Sequence, residues 1–312
     1  MDPFLDLIRL LAPRAALLGR GFDAAGDWGL SFPALGDLLF VWIEDGTCQL
    51  VRPGGDIVRL EKGDFALVRA FQPFTLTSNT NVEPVDSVSA VAAKRGGRLK
   101  LGAGHDRPAC LHLGKFLFST ANEDLLTGLL PPIVHIPSYS PRLHRIHILL
   151  SLMESEGREP GPASEFVILR LAELALVEIL RMPASDLPKQ VGEPAGRGLL
   201  SGLGDPLTAK ALRAMHADVA QHWTVEALAR LCGVSRSAFA TRFRVVVGVG
   251  PISYLLRWRM ALAKEALKSG SARIEEIGFS IGYKSASAFS TAFTRTAGCS
   301  PRQFAESSIR RA

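Results

Sequence analysis

The sequence predicts an α+β chain of two domains: a small β-sandwich or barrel followed by a helical pair, then an all-α domain holding two helix-turn-helix motifs joined by a long helix. Three observations carry this reading. Charge is divided unevenly, with 20 Lys/Arg against 23 Asp/Glu in residues 1–204 but 16 against 7 in residues 205–312, a net of +9. The apolar period changes from short runs between Gly, Pro and Asn breaks to helical stripes. A motif of some twenty residues occurs twice in the basic part.

The chain opens MDPFLDLIRLLAPRAALLGR, with two early acids and no basic leader, which makes a poor signal peptide. No run approaches eighteen consecutive apolar residues, so no membrane span is expected. Cys48, Cys110, Cys232 and Cys299 lie far apart without a CxxC, which excludes a zinc ribbon and favours a reduced, cytoplasmic protein. Between about residues 37 and 93, the runs DLLFVWIE, TCQLVRP, DIVRLEKGDFALV and PFTLTSN have the rhythm of short antiparallel strands. Two helices follow, over about 142–154 and 165–181, separated by the breaker EGREPGP; apolar residues cover most of the circumference of the second. Residues 182–204 are rich in Pro, Gly, Ser and Asp and read as a linker. The expected domains are therefore 1–181 and 205–312.

VEALARLCGVSRSAFATRF (225–243) and IEEIGFSIGYKSASAFSTAF (274–293) superpose with one extra residue at Lys284. Glu226 matches Glu275, Gly233 matches Gly282, Ser235 matches Ser285, Phe239 matches Phe289 and Phe243 matches Phe293. The unit reads as a helix-turn-helix, about 224–245 and again about 273–296. Thr224 is placed to cap a helix with Val225, Leu228, Ala229 and Leu231 on one face. Gly233 ends it in a left-handed turn, and Ser235 caps a second helix that turns Phe239 and Phe243 inward. Arg236, Ser237, Ala240, Thr241 and Arg244 are left outward, as are Ala286, Ser287, Ser290, Thr291 and Arg295 in the second copy. Small and hydroxylated groups let a helix approach base edges in a major groove, and flanking arginines hold phosphates. Between the copies, Pro251 opens a helix with Tyr254, Leu255, Trp258, Leu262 and Leu267 inward and Arg257, Arg259, Lys264 and Lys268 outward. Arg259, Lys284 and Arg295 are expected phosphate contacts, and Ser237, Thr241, Ser287 and Thr291 expected base readers.

With IGYKSASAFSTAFTRTAGCSPRQFA (281–305), WTVEALARLCGVSRSAFATRF and the RWRM helix on the page, the last hundred residues resemble the DNA-binding domain of the AraC/XylS family of transcription regulators. The resemblance implies double-stranded DNA and RNA polymerase as partners, and base reading by Arg236, Ser237, Ala240, Thr241, Ala286, Ser287, Ser290 and Thr291. Several members of that family carry larger side chains at these positions, so a target sequence does not transfer. LEKGDFALV, followed by HLGKFLFSTANEDLLTGLLPPIVHI (112–136), resembles the cupin-type sensory domains that precede such DNA-binding domains. This implies a cupin-like barrel, a small-molecule effector, and a homodimer formed through the helices after the barrel. A helix buried within one subunit is the competing reading of those helices.

Cupin enzymes cluster His and Glu around a metal, but residues 1–104 contain no histidine, and RAFQPFTL (69–76) stands where such a ligand commonly falls. No metal, no cofactor and no catalytic residue are therefore expected. KRGGRLK (94–100) sets Lys94, Arg95, Arg98 and Lys100 around two glycines, a pattern that suits an anionic effector or, equally plainly, a solvated hairpin loop. The expected function is a sequence-specific transcriptional regulator modulated by a small effector. The alternatives are a cupin enzyme with secondary DNA binding and an architectural DNA binder without a ligand.

Overall fold

The computed structural model of the chain describes residues 2–18, 21–54, 57–92, 98–104, 109–118, 130, 132–138, 143–182, 198–270 and 272–309. They divide into two compact units, and the division does not follow the chain order. One unit holds residues 1–12 together with 194–312, and the other holds residues 13–117 and 130–193.

The second of these is a β-sandwich. Its strands are β1 (Arg14–Leu17), β2 (Phe22–Ala24), β3 (Gly29–Phe32), β4 (Leu38–Asp45), β5 (Thr47–Val51), β6 (Ile57–Glu61), β7 (Phe65–Arg69), β8 (Phe74–Thr77), β9 (Val85–Asp86), β10 (Leu99–Leu101), β11 (Ala109–Leu117) and β12 (Ile133–Ile136). One sheet runs β10-β2-β11-β4-β7-β12, with β1 also paired to β11; the other runs β6-β5-β8-β3-β9. Alternation in β4 shows why both of its faces are apolar. Leu39, Val41 and Ile43 enter the core between the sheets, with Trp28, Leu50, Leu76 and Leu113. Phe40 and Trp42 point the other way, and Phe40 packs on Phe65 and Phe116 at 5.8 and 5.2 Å. Gly114 is required opposite, because a Cβ there would stand 2.2 Å from the Phe40 ring.

The two expected helices are present as α3 (His144–Arg158) and α4 (Ser164–Arg181), after a short α2 (Ser87–Ala92). Gly157 of α3 lies against the Trp42 ring, and Glu173 of α4 accepts a hydrogen bond from the Ala15 N–H of β1 at 2.8 Å. Ile168, Ala172, Ala175, Leu176, Ile179 and Leu180 bury one face of α4, while Phe166 and Leu174 stay exposed.

The GD turn before β7 has a specific task. The buried Asp64 carboxylate accepts from the N–H groups of Glu61 and Ser138, at 3.0 and 2.7 Å, and pairs with His135 Nε2 at 2.8 Å, so it ties β12 to the turn. Burial raises its pKa, but the His135 and backbone hydrogen bonds outweigh burial and hold it below the ordinary carboxylate value. A depressed folded pKa means that the stabilisation is complete above the unfolded value, near 4, and is lost as pH falls through the folded value. Asp64→Asn should cost about 1–3 kcal/mol at neutral pH and flatten the acid side of the stability profile, read by thermal unfolding between pH 7 and 3. An unchanged acid slope in the variant would remove Asp64 as its source.

The other unit is helical: α1 (Pro3–Leu11), α5 (Leu199–Gly204), α6 (Pro206–Ala217), α7 (Val225–Cys232), α8 (Arg236–Val247), α9 (Pro251–Ser269), α10 (Ile274–Ser280), α11 (Ala286–Ala297) and α12 (Pro301–Ile309). At the start of the expected domain 1–181, α1 buries Leu7, Leu10 and Leu11 and packs on α6 and α9. Residues 199–204, at the end of the expected linker, form α5. Gly202 conceals this helix in the composition: a Cβ there would stand 2.7 Å from Leu212 and 2.9 Å from Val247, so the helices meet only at a glycine.

Candidate nucleic-acid interface

Both copies of the repeat fold as helix-turn-helix pairs, each for local reasons. In the first, Thr224 accepts from the Ala227 N–H at 3.1 Å and Ser235 from the Ala238 N–H at 3.3 Å, which starts α7 and α8. Gly233 takes φ +73° between them, with its N–H bonded to Arg230 O and the Val234 N–H to Ala229 O, the paired bonds of a Schellman turn. In the second, Gly282 takes φ +88°, with its N–H on Phe279 O and the Tyr283 N–H on Gly278 O, and Ser285 caps α11 through the Ala288 N–H at 3.2 Å. Phe239, Phe243, Phe289 and Phe293 are fully buried, as their i,i+4 spacing requires. Each pair fixes the roll of its recognition helix about the helix axis.

That roll decides what faces outward. Arg236, Ser237, Thr241 and Arg244 on α8, and Lys284, Ser287, Thr291 and Arg295 at α11, are exposed; Ala240, Ala286 and Ser290 are half-buried. The exposed face of α8 is broader than the spacing predicts. Ser237, Ala238, Thr241, Arg242 and Val245 line a shallow hollow of about 510 Å³. Arg242 and Val245 are absent from the sequence-derived set, although 237, 241 and 245 form an i,i+4 series that signals them. Ser237 and Ser287 hydrogen-bond the capping Ser235 and Ser285 hydroxyls at 3.3 and 3.2 Å, so both recognition helices begin with the same pair. Thr294 and Thr296 turn their hydroxyls back onto Ser290 O and Ala292 O. Arg236 pairs with Glu226 of α7 at 2.6 Å and Arg242 with Asp205 at 2.6 Å. The Arg236–Glu226 pair is exposed on both sides, and a phosphate competes with such a carboxylate at small cost. Asp205, by contrast, is largely buried, takes two Arg242 nitrogens and also caps α6.

Arg259 departs from expectation. It is buried, with Nε donating to Val219 O at 2.9 Å and Nη2 to Gln221 O at 2.8 Å. A guanidinium committed to two carbonyls inside the domain does not reach a phosphate. It instead holds the α6–α7 connection against α9, where the helical period alone had placed it outside. At 19 residues, α9 is about 28 Å long and carries one motif at each end.

In the sandwich, Lys94 and Arg95 fall outside the described residues, and Lys100 is exposed on β10. Arg98 is turned onto carboxylates, with Nε on Asp23 at 2.6 Å and Nη1 on Glu44 at 3.1 Å. Glu44 in turn meets His112 Nε2 at 2.9 Å, and this hydrogen bond is the chief reason its carboxyl stays below the ordinary value. Among the described residues no three His, Cys, Asp or Glu side chains gather as a metal site. Cys48 is buried, and burial pushes its thiol up to about 12. No single described helix is long and apolar enough to cross a membrane.

Two capped helix-turn-helix pairs on one basic unit, in a chain that also carries a β-sandwich, define a DNA-binding regulator. Residues 2–183 match a cupin family and residues 228–307 a helix-turn-helix domain family. A putative AraC-like transcription regulator of Streptomyces lividans is 38% identical over 97% of this chain and 98% of its own length. The HTH-type transcriptional regulator AlkR of Acinetobacter baylyi is 29% identical over 85% of this chain and 84% of its own. The solved C-terminal domain of AraT, a response regulator from Geobacillus stearothermophilus, is 30% identical and covers 33% of this chain and 86% of that one, with a TM-score of 0.32. The chain belongs to the AraC-like transcription regulators that carry a cupin domain ahead of the helix-turn-helix domain.

Proposed function

We propose that the protein is an effector-responsive regulator that reads double-stranded DNA with α8 and α11 in two major-groove faces. The observation that carries this is the twinned geometry: two recognition helices with the same Ser-x-Ser start and the same buried Phe pair, tied by α9. Ser237, Thr241, Ser287 and Thr291 read base edges, with Ala240, Ala286 and Ser290 allowing close approach. Arg236, Arg244, Lys284 and Arg295 hold phosphates. A homodimer through α3 and α4 is supported by the exposed Ile148, Leu152, Phe166 and Leu174 on these helices. RNA polymerase is the partner through which bound protein acts on transcription. The anionic-effector reading of residues 94–100 narrows to Lys94, Arg95 and Lys100, because Arg98 is already neutralised by Asp23 and Glu44.

One titration series tests the DNA reading. If the basic unit neutralises about six to eight phosphates, log K falls with log salt at a slope of roughly −5 to −7. Alanine at Lys284 or Arg295 should weaken all sequences alike. Changes at Thr241 or Thr291 should alter preference at particular positions by about 1–3 kcal/mol. A slope near zero removes DNA binding, and equal losses on every sequence from the threonine changes remove base reading from them.

A further inference from the structure

The two motifs part company at position 242. With Thr241 matched to Thr291 and Phe243 to Phe293, Arg242 stands where the second copy has Ala292. Of the two recognition helices, α8 alone carries a guanidinium there. Arg242 is exposed and shares the hollow of about 510 Å³ on α8 with Ser237, Ala238, Thr241 and Val245. Helical spacing sets it beside two of the proposed base readers, with Ala238 and Val245 on its own flank. That flank is apolar, a poor surface for a phosphate and a suitable one for a base edge.

Asp205 fixes this side chain. Its Oδ2 accepts from Arg242 Nε and Nη2 at 2.9 and 2.6 Å, and its Oδ1 accepts from the Thr208 N–H at 2.9 Å. Burial raises the Asp205 pKa, but the Thr208 and Arg242 bonds outweigh it, so the carboxyl stays below its ordinary value and is charged at neutral pH. The Arg242 side chain is 54% exposed and that of Asp205 only 10%, so releasing the arginine would strand one oxygen of a largely buried carboxylate. A guanidinium has five N–H donors in a rigid fork. Nε–H and one Nη2–H go to Asp205. Both Nη1 hydrogens and the second Nη2 hydrogen remain, and no acceptor among the described residues takes them. They form the end edge of the fork, two parallel donors held in one orientation.

We propose that Arg242 reads N7 and O6 of a guanine in the major groove through this end edge, with Asp205 as its positioning residue. Guanine is the base that presents two acceptors side by side there; adenine pairs its N7 with a donor. A phosphate also offers two acceptors, but charge decides against it. Asp205 neutralises Arg242, so an approaching phosphate gains little attraction and meets the carboxylate's field. A guanine is uncharged, and for it the orientation of the donors counts rather than their net charge. The proposal rests on the reading of α8 as a recognition helix and names a base that its half-site must hold. The half-site of α11, with Ala292, carries no such requirement.

The test starts by selecting duplexes with the full chain from a pool carrying about twenty randomised base pairs, two turns of B-DNA. Each guanine of the enriched site is then replaced in turn. At one of them 7-deazaguanine, which lacks the N7 acceptor, should weaken the wild type roughly tenfold, while inosine, which keeps N7 and O6, should not. Arg242→Met should lose its preference for that guanine alone, become indifferent to 7-deazaguanine there, and keep the wild-type slope of log K against log salt. Asp205→Asn should lower the preference for guanine severalfold yet bind unrelated duplexes more tightly with a steeper salt slope, a gain that no misfolded variant produces. Equal loss on every duplex in Arg242→Met, with the slope reduced by about 0.9, would make Arg242 a phosphate clamp and overturn the proposal. An enriched site at which 7-deazaguanine never weakens the wild type overturns it too, and leaves the DNA reading standing. If no duplex is enriched at all, the DNA reading itself falls and takes the proposal with it.

Discussion

Gly282→Ala should destabilise the helical unit by about 3–5 kcal/mol and abolish DNA binding, whereas the equivalent Gly233→Ala should cost only about 1 kcal/mol. The two glycines occupy the same position of the repeat and share a left-handed backbone, φ +88° and +73°. Backbone strain alone would make the two substitutions equal. The surroundings differ. A Cβ on Gly233 meets nothing within 4 Å, but one on Gly282 would lie 2.3 Å from the Ala220 carbonyl oxygen and 2.8 Å from Arg259 Nη2. A backbone carbonyl cannot swing aside as a side-chain tip can, so α10 and α11 must move off the α6–α7 connection. Urea unfolding of the two variants, with DNA titration of each, checks this. Similar midpoints would show that the second turn has more room than its packing allows.

Arg259→Met should cost about 2–4 kcal/mol and weaken DNA binding only through loss of fold. Methionine keeps an apolar stem of similar length in the buried site, but it leaves the carbonyls of Val219 and Gln221 without the donors that now reach them at 2.9 and 2.8 Å. The salt dependence separates this role from a phosphate contact. In the fraction that stays folded at low temperature, the slope of log K against log salt should equal that of the wild type, while loss of a phosphate contact would reduce it by about 0.9. A reduced slope with an unchanged melting temperature would restore Arg259 to the DNA surface. Because Arg259 Nη2 also borders Gly282, the two substitutions share a neighbourhood and their costs should not add.

The recognition unit was legible in the sequence because everything that builds it is close in the chain. The caps at Thr224, Ser235 and Ser285 bind N–H groups three residues on, the turn glycines close bonds over three to five residues, and the Phe pairs share a helix face at i,i+4. Duplication then raised a local pattern above background. In the sandwich, alternation in β4 marked the strand but left unread that both faces are covered, one by the second sheet and one toward α3.

What the sequence by itself determined is therefore the two capped helix pairs, the basic domain that carries them, and a β-rich partner followed by two helices. The tertiary structure alone decided the rest: Arg259 bonds carbonyls about forty residues away, Arg98 meets Asp23 across 75 residues, and Asp6 meets His216 across 210. Helical period places a side chain on a face, but whether that face meets solvent, a carbonyl or a carboxylate depends on which distant segment packs there. Such contacts form only once the chain has closed loops of those lengths, so no local spacing encodes them.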